Sequence, residues 1–428
     1  MTAAVAINPG HLYAQSADSY YLKSQRYAEQ VAKTKLPPRV DNVDIPHSGP
    51  QGKVVPLTII DDPADWKAKD WEGREAEYTY FFTPEDIVEL AAAVDALKAR
   101  GVSTEDDIIA LTKDDFALPK LGPKLVALAK EVTLGRGFQL LKGFPVDDYK
   151  SDRVGLVLAY WGVALHLGRP LVSQTDHDYE GSISGGTYGS ILNHITVGRH
   201  ARPAGTQAHA VDTIRLVFHS DQGATDLISL LSLTNAKEGG VSKWVSSIAI
   251  HNELLRRGRK DLVEVLSKPW YVGRKIDQAR FERDEAGNLI KEATIPFEYH
   301  DGYLSVYYQS NNYQEVEKEL SPLQEEALWA VAALAEDPEF HFAQILEPGT
   351  IEWIHNPSIM HSRSEVVDGE ASDEKRHLLR FWVDTDANNR PIAPTFAPRS
   401  SVQAQGGFKV PEGSKLRLPL HPPSRPEA

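Results

Sequence analysis

The chain has 428 residues, a formal net charge of −14, 41% hydrophobic and 25% charged residues, an ordinary soluble composition at a length that suits two or three domains or one large β-rich unit. It contains no cysteine, which excludes disulfides, thiolate metal sites, iron–sulfur clusters and cysteine nucleophiles, so any metal must be held by His, Asp, Glu or backbone oxygen. The acidic balance argues against nucleic acid or an anionic membrane as partner. No apolar run approaches the roughly 20 residues that span a bilayer, and residues 1–30 lack a signal-peptide pattern, so a cytoplasmic location is expected.

Residues 1–75 are punctuated by "KLPPRV", "IPHSGPQG" and "IDDPADW" and are expected to form an irregular arm on the body. A helix is predicted for "TPEDIVELAAAVDALKARG". Thr83 is its N-cap, Pro84 its first residue, and Glu85 and Asp86 complement its dipole. Ile87, Leu90, Ala91, Val94 and Leu97 form the buried stripe, and Gly101 is the stop. A second helix, "GPKLVALAKEVTLGRG", leads into a strand, "FQLLKGFPV". "SDRVGLVLAYWGVALHLG" is a third helix, capped by Ser151 or Asp152.

From about residue 190 the texture turns β-like, with "ILNHITV", "TIRLVFHSD", "LISLLSLTNA", "PFEYH", "YLSVYY", "FHFAQILE", "TIEWIH" and "HLLRFWVD" as strands. "YHDGY" and "EPGT" read as hairpin-type turns, and "SIAIHNELLRRGRKDLVEVLS" and "SPLQEEALWAVAALAED" as inserted helices. The expected fold is α+β, a double-sheet roll or distorted barrel with flanking helices. Residues 1–120 form an N-terminal extension, 121–386 the main domain and 387–428 a Pro-rich tail.

"VFHSDQ" places His219 and Asp221 two apart at the end of an apolar run. On a strand such residues share a face, and Ser220 between them points away. Alone, the pair also suits a core or surface histidine beside a loop aspartate. The similarly spaced His251 and Glu253 lie in a predicted helix, where i and i+2 diverge by about 200° and cannot share an ion. "TDHDYEG", around His177, reads as solvated turn chemistry, and no HExxH is present. A third ligand must come from another strand, and "EPGTIEWIHNPSIMHSRSEVVD" offers His355 and His361. In "KRHLLRFWVD" Arg376, Leu378 and Arg380 share one face and His377, Leu379 and Phe381 the other. Two arginines on an inward face are costly unless they meet anions, and a guanidinium fork suits a carboxylate.

Together these segments resemble the taurine dioxygenase / 2,4-dichlorophenoxyacetate dioxygenase (TauD/TfdA) family of iron(II)- and 2-oxoglutarate-dependent oxygenases, longer fungal-type members in particular. The likeness runs from "GRGFQLLKGFPVD" to "RHLLRFWVD". It includes Gly239, Gly240 and Ser242 in "KEGGVSKW", the "EPGT" turn, Asn356, His361, Arg363, Arg376 and Arg380. Thr350 stands where the family usually has Asp, and "EVVDGEASDEK" makes the loop before Arg376 slightly long. The resemblance implies a double-stranded β-helix (jelly-roll) core over residues 121–386. It implies His219, Asp221 and His361 as iron ligands, and Arg376 with the Ser242 hydroxyl on the distal carboxylate of 2-oxoglutarate. Arg380 lies farther along that face, where relatives use it on an anionic group of the substrate.

The chemistry so implied uses iron(II), 2-oxoglutarate and O₂ to oxidise, typically hydroxylate, an unactivated C–H of a small polar or anionic molecule, releasing succinate and CO₂. Oxidative cyclisation or desaturation of an amino acid or natural-product intermediate is the alternative outcome. A catalytically silent metal and 2-oxo-acid binder is the alternative of another class, and a zinc hydrolase would leave the arginines unexplained. Asn193 or His194, Tyr303, Tyr307, Tyr308, Gln309 and Asn311 are candidate pocket residues, with Arg380, Asn193 and Tyr308 preferred, although such tyrosines more often pack a sheet. No residue beyond the metal ligands is expected to act as acid, base or nucleophile. A homo-oligomer is compatible with the sequence.

Overall fold

A computed structural model describes residues 24–40, 44–49, 53–177, 187–197, 214–273, 284–310, 313, 320–385, 390–396, 403, 406–410 and 412–422. In chain order the body begins with strand β1 (Thr79–Phe81), helices α1 (Pro84–Ala99) and α2 (Leu121–Leu134), strand β2 (Phe138–Lys142) and helix α3 (Arg153–Leu167). Strands β3 (Gly168–Leu171), β4 (Asn193–Thr196), β5 (Leu216–His219), β6 (Leu227–Thr234) and β7 (Ser242–Ser246) follow. Helices α4 (Ser247–Arg256), α5 (Lys260–Leu266) and α6 (Pro322–Glu336) come next, then strands β8 (His341–Gln344), β9 (Ile351–His355), β10 (Ile359–Arg363) and β11 (His377–Thr385).

The helix signals act as their chemistry dictates. The Thr83 hydroxyl accepts the Asp86 N–H while the Asp86 carboxylate accepts that of Thr83, closing a capping box on α1. Of the two candidate caps of α3, Asp152 accepts the Gly155 N–H. α3 is buried from Gly155 to Leu167, as befits a helix apolar on all sides.

Two sheets carry the body. The larger runs β1-β2-β9-β6-β11-β3, with β4 also paired to β11, and the smaller runs β8-β7-β10-β5. All these pairings are antiparallel except β1 with β2. From β5 to β11 the chain passes between the sheets repeatedly, in the order small, large, small, small, large, small, large. Side chains alternating along each strand therefore serve two cores. Phe138, Leu140, Ile228, Ile354, Leu378 and Trp382 of the large sheet meet Trp244 and Ile359 of the small one. The opposite face of the large sheet, with Leu227, Leu231, Trp353, Leu379 and Phe381, packs on α1, α2 and α3. The opposite face of the small sheet, with Phe218, Val245 and Met360, packs on α4, α5 and α6. The order is helix, sheet, sheet, helix. The long apolar runs of β6 and β9 follow from burial on both faces.

Several expectations need correction. "EPGT" makes a tight turn, with Gly349 at φ 79°, but it joins β8 to β9, which lie in different sheets, so it is a crossover and not a hairpin. "YHDGY" is a hairpin turn, with Asp301 and Gly302 at positive φ between paired strands Phe297–His300 and Tyr303–Val306. The expected helix over 247–267 is two helices, α4 and α5, parted at Gly258 (φ 72°). Residues 175–177 of the "TDHDYEG" stretch belong to a strand, Gln174–His177, and 178–181 lie outside the described residues. The N-terminal arm is helical over 24–33, where Tyr27 packs edge-on against Trp329 of α6. No break in packing falls at residue 120, since α1 shares a core with α3 and the large sheet. In the tail, Lys415–Arg417 pairs with Thr187–Ser190, and Arg417 reaches Glu105.

Candidate active site

His219 on β5 stands directly across from His361 on β10, and His361 in turn pairs with Trp244 on β7, an inter-sheet residue. Both imidazoles therefore face the space between the sheets, their ring centroids 4.3 Å apart. Asp221 arrives differently. β5 ends at His219, so pleat alternation does not carry as far as residue 221. Asn356, fully buried just after β9, clamps it instead: its carboxamide oxygen accepts the Asp221 N–H at 2.8 Å and its NH₂ donates to the Asp221 carbonyl at 2.9 Å. Ser220 turns away, as expected, its hydroxyl donating to the Val306 carbonyl at 2.8 Å.

The Asp221 carboxylate divides its work. Oδ1 lies 3.5 Å from Nε2 of His219 and 3.7 Å from Nε2 of His361. Oδ2 accepts from Arg380 Nη1 at 3.1 Å and from Trp382 Nε1 at 2.8 Å. One ligand atom from each of the three residues lies within 4.8 Å of the others, and no further group of this kind is found among the described residues. Nδ1 of His219 lies 2.8 Å from the Val217 carbonyl. A carbonyl only accepts, so Nδ1 carries a proton, and Nε2 is the atom turned toward the carboxylate. Burial alone would raise the Asp221 carboxyl, but Arg380 and the two imidazoles outweigh it and hold the group well below the usual carboxylate range. Burial, with the neighbouring His219, lowers His361 to about 3. Two neutral imidazoles and one carboxylate, with no thiolate, fit a ferrous ion and leave its other positions open.

Asn356 was noted in the sequence only as a family counterpart, and its role as the clamp on Asp221 emerges from the contact. Asn356→Ala is expected to weaken iron(II) affinity by about 10–100-fold, the usual scale for a residue that orients a ligand. A metal titration of the variant measures this.

The arginines separate in role. Arg376 precedes β11 and is buried, its N–H donating to Asp368 Oδ1 at 2.8 Å. Among the described residues its guanidinium has no hydrogen-bond or ion-pair partner, although Arg363, Glu352 and Asp368 act on it electrostatically. Burial and then Arg363 lower it, against Glu352 and Asp368, but a guanidinium keeps its proton through neutral and mildly alkaline pH, so it remains a cation. A buried cation in this state is costly unless an anion meets it. Gly240 (φ 72°) supplies the room, since a Cβ there would lie 2.9 Å from Arg376 Cδ and 3.1 Å from its Nε. Gly240→Ala is expected to displace the guanidinium and raise the 2-oxoglutarate dissociation constant about tenfold, with iron affinity unchanged, which paired calorimetric titrations resolve. Ser242, two residues on, shares the inward face of Trp244 on β7 and is buried.

Arg380 is not free to serve a substrate alone. Besides Asp221 it contacts the Ser173 carbonyl at 3.4 Å, and its cation lies 5.0 Å from the Trp382 ring. Asn193 is its cross-strand partner and, with its carboxamide oxygen turned toward the guanidinium, accepts from Arg380 Nη2 at 3.0 Å. His194 faces the other way, bonded to His377 and the Pro419 carbonyl. Tyr308 corrects the expectation. It is fully buried, and its hydroxyl donates to the Leu328 carbonyl of α6 at 2.8 Å, so sheet-to-helix packing accounts for it and it does not line the site. Gln309 reaches the Ser220 carbonyl, and Asn311 lies outside the described residues. Trp382 on Asp221 and Glu352 beside Arg376 were not foreseen. The inward parity of β11 and β9 is the signal that points to them.

Residues 103–382 match the family described as taurine catabolism dioxygenase TauD, TfdA family. The chain is 30% identical to the taurine hydroxylase-like protein SAT17 of Stachybotrys chartarum over 338 residues, 75% of this chain and 79% of that protein. It is 27% identical to FR-33289 synthase of Streptomyces rubellomurinus, over 74% of this chain and 89% of that one. An asparagine oxygenase solved with Fe(II), 2S,3S-3-hydroxyasparagine and succinate superimposes with a TM-score of 0.53 at 16% identity, covering 76% of this chain and all of that one, a likeness of fold. The chain belongs to the TauD/TfdA family and is a 2-oxoglutarate-dependent non-haem iron dioxygenase, with iron(II), 2-oxoglutarate and O₂ as its cofactor and cosubstrates.

Proposed function

We propose that this enzyme oxidises, by hydroxylation, an unactivated C–H bond of a small polar or anionic molecule of amino-acid or natural-product type, releasing succinate and CO₂. Iron(II) is held by His219, Asp221 and His361, and the distal carboxylate of 2-oxoglutarate by Arg376 with the Ser242 hydroxyl. The observation that carries the reading is the pairing of a two-histidine, one-carboxylate cluster with a buried guanidinium that has no partner among the described residues. The passage of successive strands between two sheets supports a jelly-roll core, and residues 121–386 as its catalytic body. The substrate class draws on the relatives, a taurine hydroxylase-like protein, FR-33289 synthase and an asparagine oxygenase solved with 3-hydroxyasparagine.

When bound, the iron supplies the coupling of 2-oxoglutarate decarboxylation and O₂ reduction to oxidation of the substrate. The residues of the chain place and protect. Arg380 and Trp382 fix Oδ2 of Asp221 so that Oδ1 stays turned to the histidines. Arg376 would hold the far carboxylate of the keto-diacid and so orient it in the space between the sheets. Trp244, Ile359 and Leu378 keep the space between the sheets dry.

The test is anaerobic addition of iron(II) and 2-oxoglutarate while watching for their charge-transfer absorbance. Candidate amino acids, sulfonates and aryloxy acids are then screened for a shift of that band, with succinate measured after O₂ is admitted. A band followed by substrate-dependent succinate supports the reading. Absence of both in metal-reconstituted protein defeats it.

A further inference from the structure

Glu352 is an acid placed where a sheet interior ordinarily takes an apolar side chain. It lies on β9 between Leu140 of β2 and Leu230 of β6. Its neighbours two residues along in parity, Ile354 and, across the sheet, Ile228, belong to the inter-sheet core. It is 2% exposed, and Oε1 has no hydrogen-bond partner. Among the described residues the charged group that acts on it is Arg376, which in turn feels Arg363 and Asp368. Leu140 and Leu230 flank it from the adjoining strands, and no acid or base on those strands opposes it. The acid and the guanidinium do not form an ion pair among the described contacts. Each is buried, and each is left with hydrogen-bonding capacity unused.

This arrangement has a consequence if Arg376 receives the distal carboxylate of the cosubstrate, and the inference rests on that reading. An ionised Glu352 would then stand as a second anion on the same guanidinium, in a space too poorly solvated to screen the repulsion. A neutral Glu352 would instead offer an O–H donor to that carboxylate. We propose that Glu352 is a positioning residue of the keto-diacid pocket, protonated whenever the diacid is bound, with the proton held on the carboxyl oxygen facing the distal carboxylate. No bond to carbon changes. Where the free pocket holds Glu352 ionised, one solvent proton is transferred to its carboxylate on binding, and in either case the diacid sits between a cation and a neutral donor.

The pH dependence has a definite sign. Burial pushes the carboxyl up to about 8, with Arg376 opposing. Below that midpoint the group is already protonated and binding is at full strength. As pH rises through it, each binding event must recruit a proton, and affinity falls by up to about tenfold per pH unit.

The experiment is calorimetric titration of the anaerobic, manganese(II)-loaded full chain with 2-oxoglutarate between pH 6.5 and 9, so that no turnover intervenes. The wild type is expected to bind about tenfold more weakly at pH 9 than at pH 7. In buffers of differing ionisation enthalpy near pH 9 it is expected to take up about one proton per diacid. Glu352→Gln, neutral at every pH and able to donate, is expected to keep the pH 7 affinity up to pH 9 with no such uptake. A wild-type affinity flat with pH, or a Glu352→Gln protein that keeps the wild-type slope, overturns the proposal. The proton count on the wild type decides the matter even if the variant folds poorly. Failure of 2-oxoglutarate to bind at any pH is a different result, which removes the cosubstrate reading of Arg376 and this inference with it.

Discussion

Asp221→Ala is expected to abolish iron(II) binding at micromolar metal and, separately, to destabilise the metal-free protein by about 3 kcal/mol. The first effect is loss of the sole anionic member of the ligand set, leaving two imidazoles whose affinity for a ferrous ion is slight. The second does not depend on metal. Oδ2 is the counterion of the mostly buried Arg380 and the acceptor of the Trp382 N–H, so its removal strands a cation and a donor in the interior at once. Urea unfolding of the two apo-proteins measures the second effect and metal titration the first. Unchanged apo-stability would show that the Arg380–Asp221 pair contributes nothing to the fold.

Arg376→Leu has the opposite signature. The 2-oxoglutarate dissociation constant is expected to rise by about 10²–10³, the scale for losing one partner of a buried charge pair, while iron affinity stays within about twofold. The apo-protein is expected to be as stable as wild type, or more so by about 1 kcal/mol. The guanidinium is buried, meets no hydrogen-bonding partner among the described residues, and is repelled by Arg363 though drawn to Glu352 and Asp368, so an apolar side chain in its place is expected to relieve at least as much as it removes. Stability and cosubstrate affinity moving in opposite directions identify a group held in strain for a ligand. If the variant loses stability, Arg376 has a structural partner and its role must be redrawn.

How much of the fold and site was visible beforehand depended on whether the relevant force acts locally along the chain. The Thr83–Asp86 capping box and the "YHDGY" hairpin involve residues within a few positions of one another, and composition alone specifies them. The spacing of His219 and Asp221 and a distal histidine likewise named three side chains that the structure places together. The reason for Asp221 was different from the one expected. The strand stops at His219, and a buried carboxamide 135 positions away holds the aspartate in place. No periodicity encodes such a contact. "EPGT" carries the residues of a hairpin, yet whether the strand after it stays in its sheet or leaves is decided by which core it can fill. Tyr308 looks the same from the sequence whether it meets a ligand or a helix, and its bond to α6 settles the matter. Glu352 is illegible for a related cause: a single acid in a strand reads as solvent-facing until the sheet on its other side is known.

The short strand β1 matters beyond its three residues. It lies parallel along β2, and Phe82 N–H continues the ladder to Lys142. Trp66 and Tyr78 close over Phe138 at centroid distances of 5.0 and 5.3 Å. A chain trimmed to the matched segment 103–382 would bare the backbone donors and acceptors of β2 together with an uncovered aromatic cluster. Such a flank invites a second copy to add its own strand, so truncated material is expected to self-associate and the shield belongs in any preparation meant to stay monodisperse.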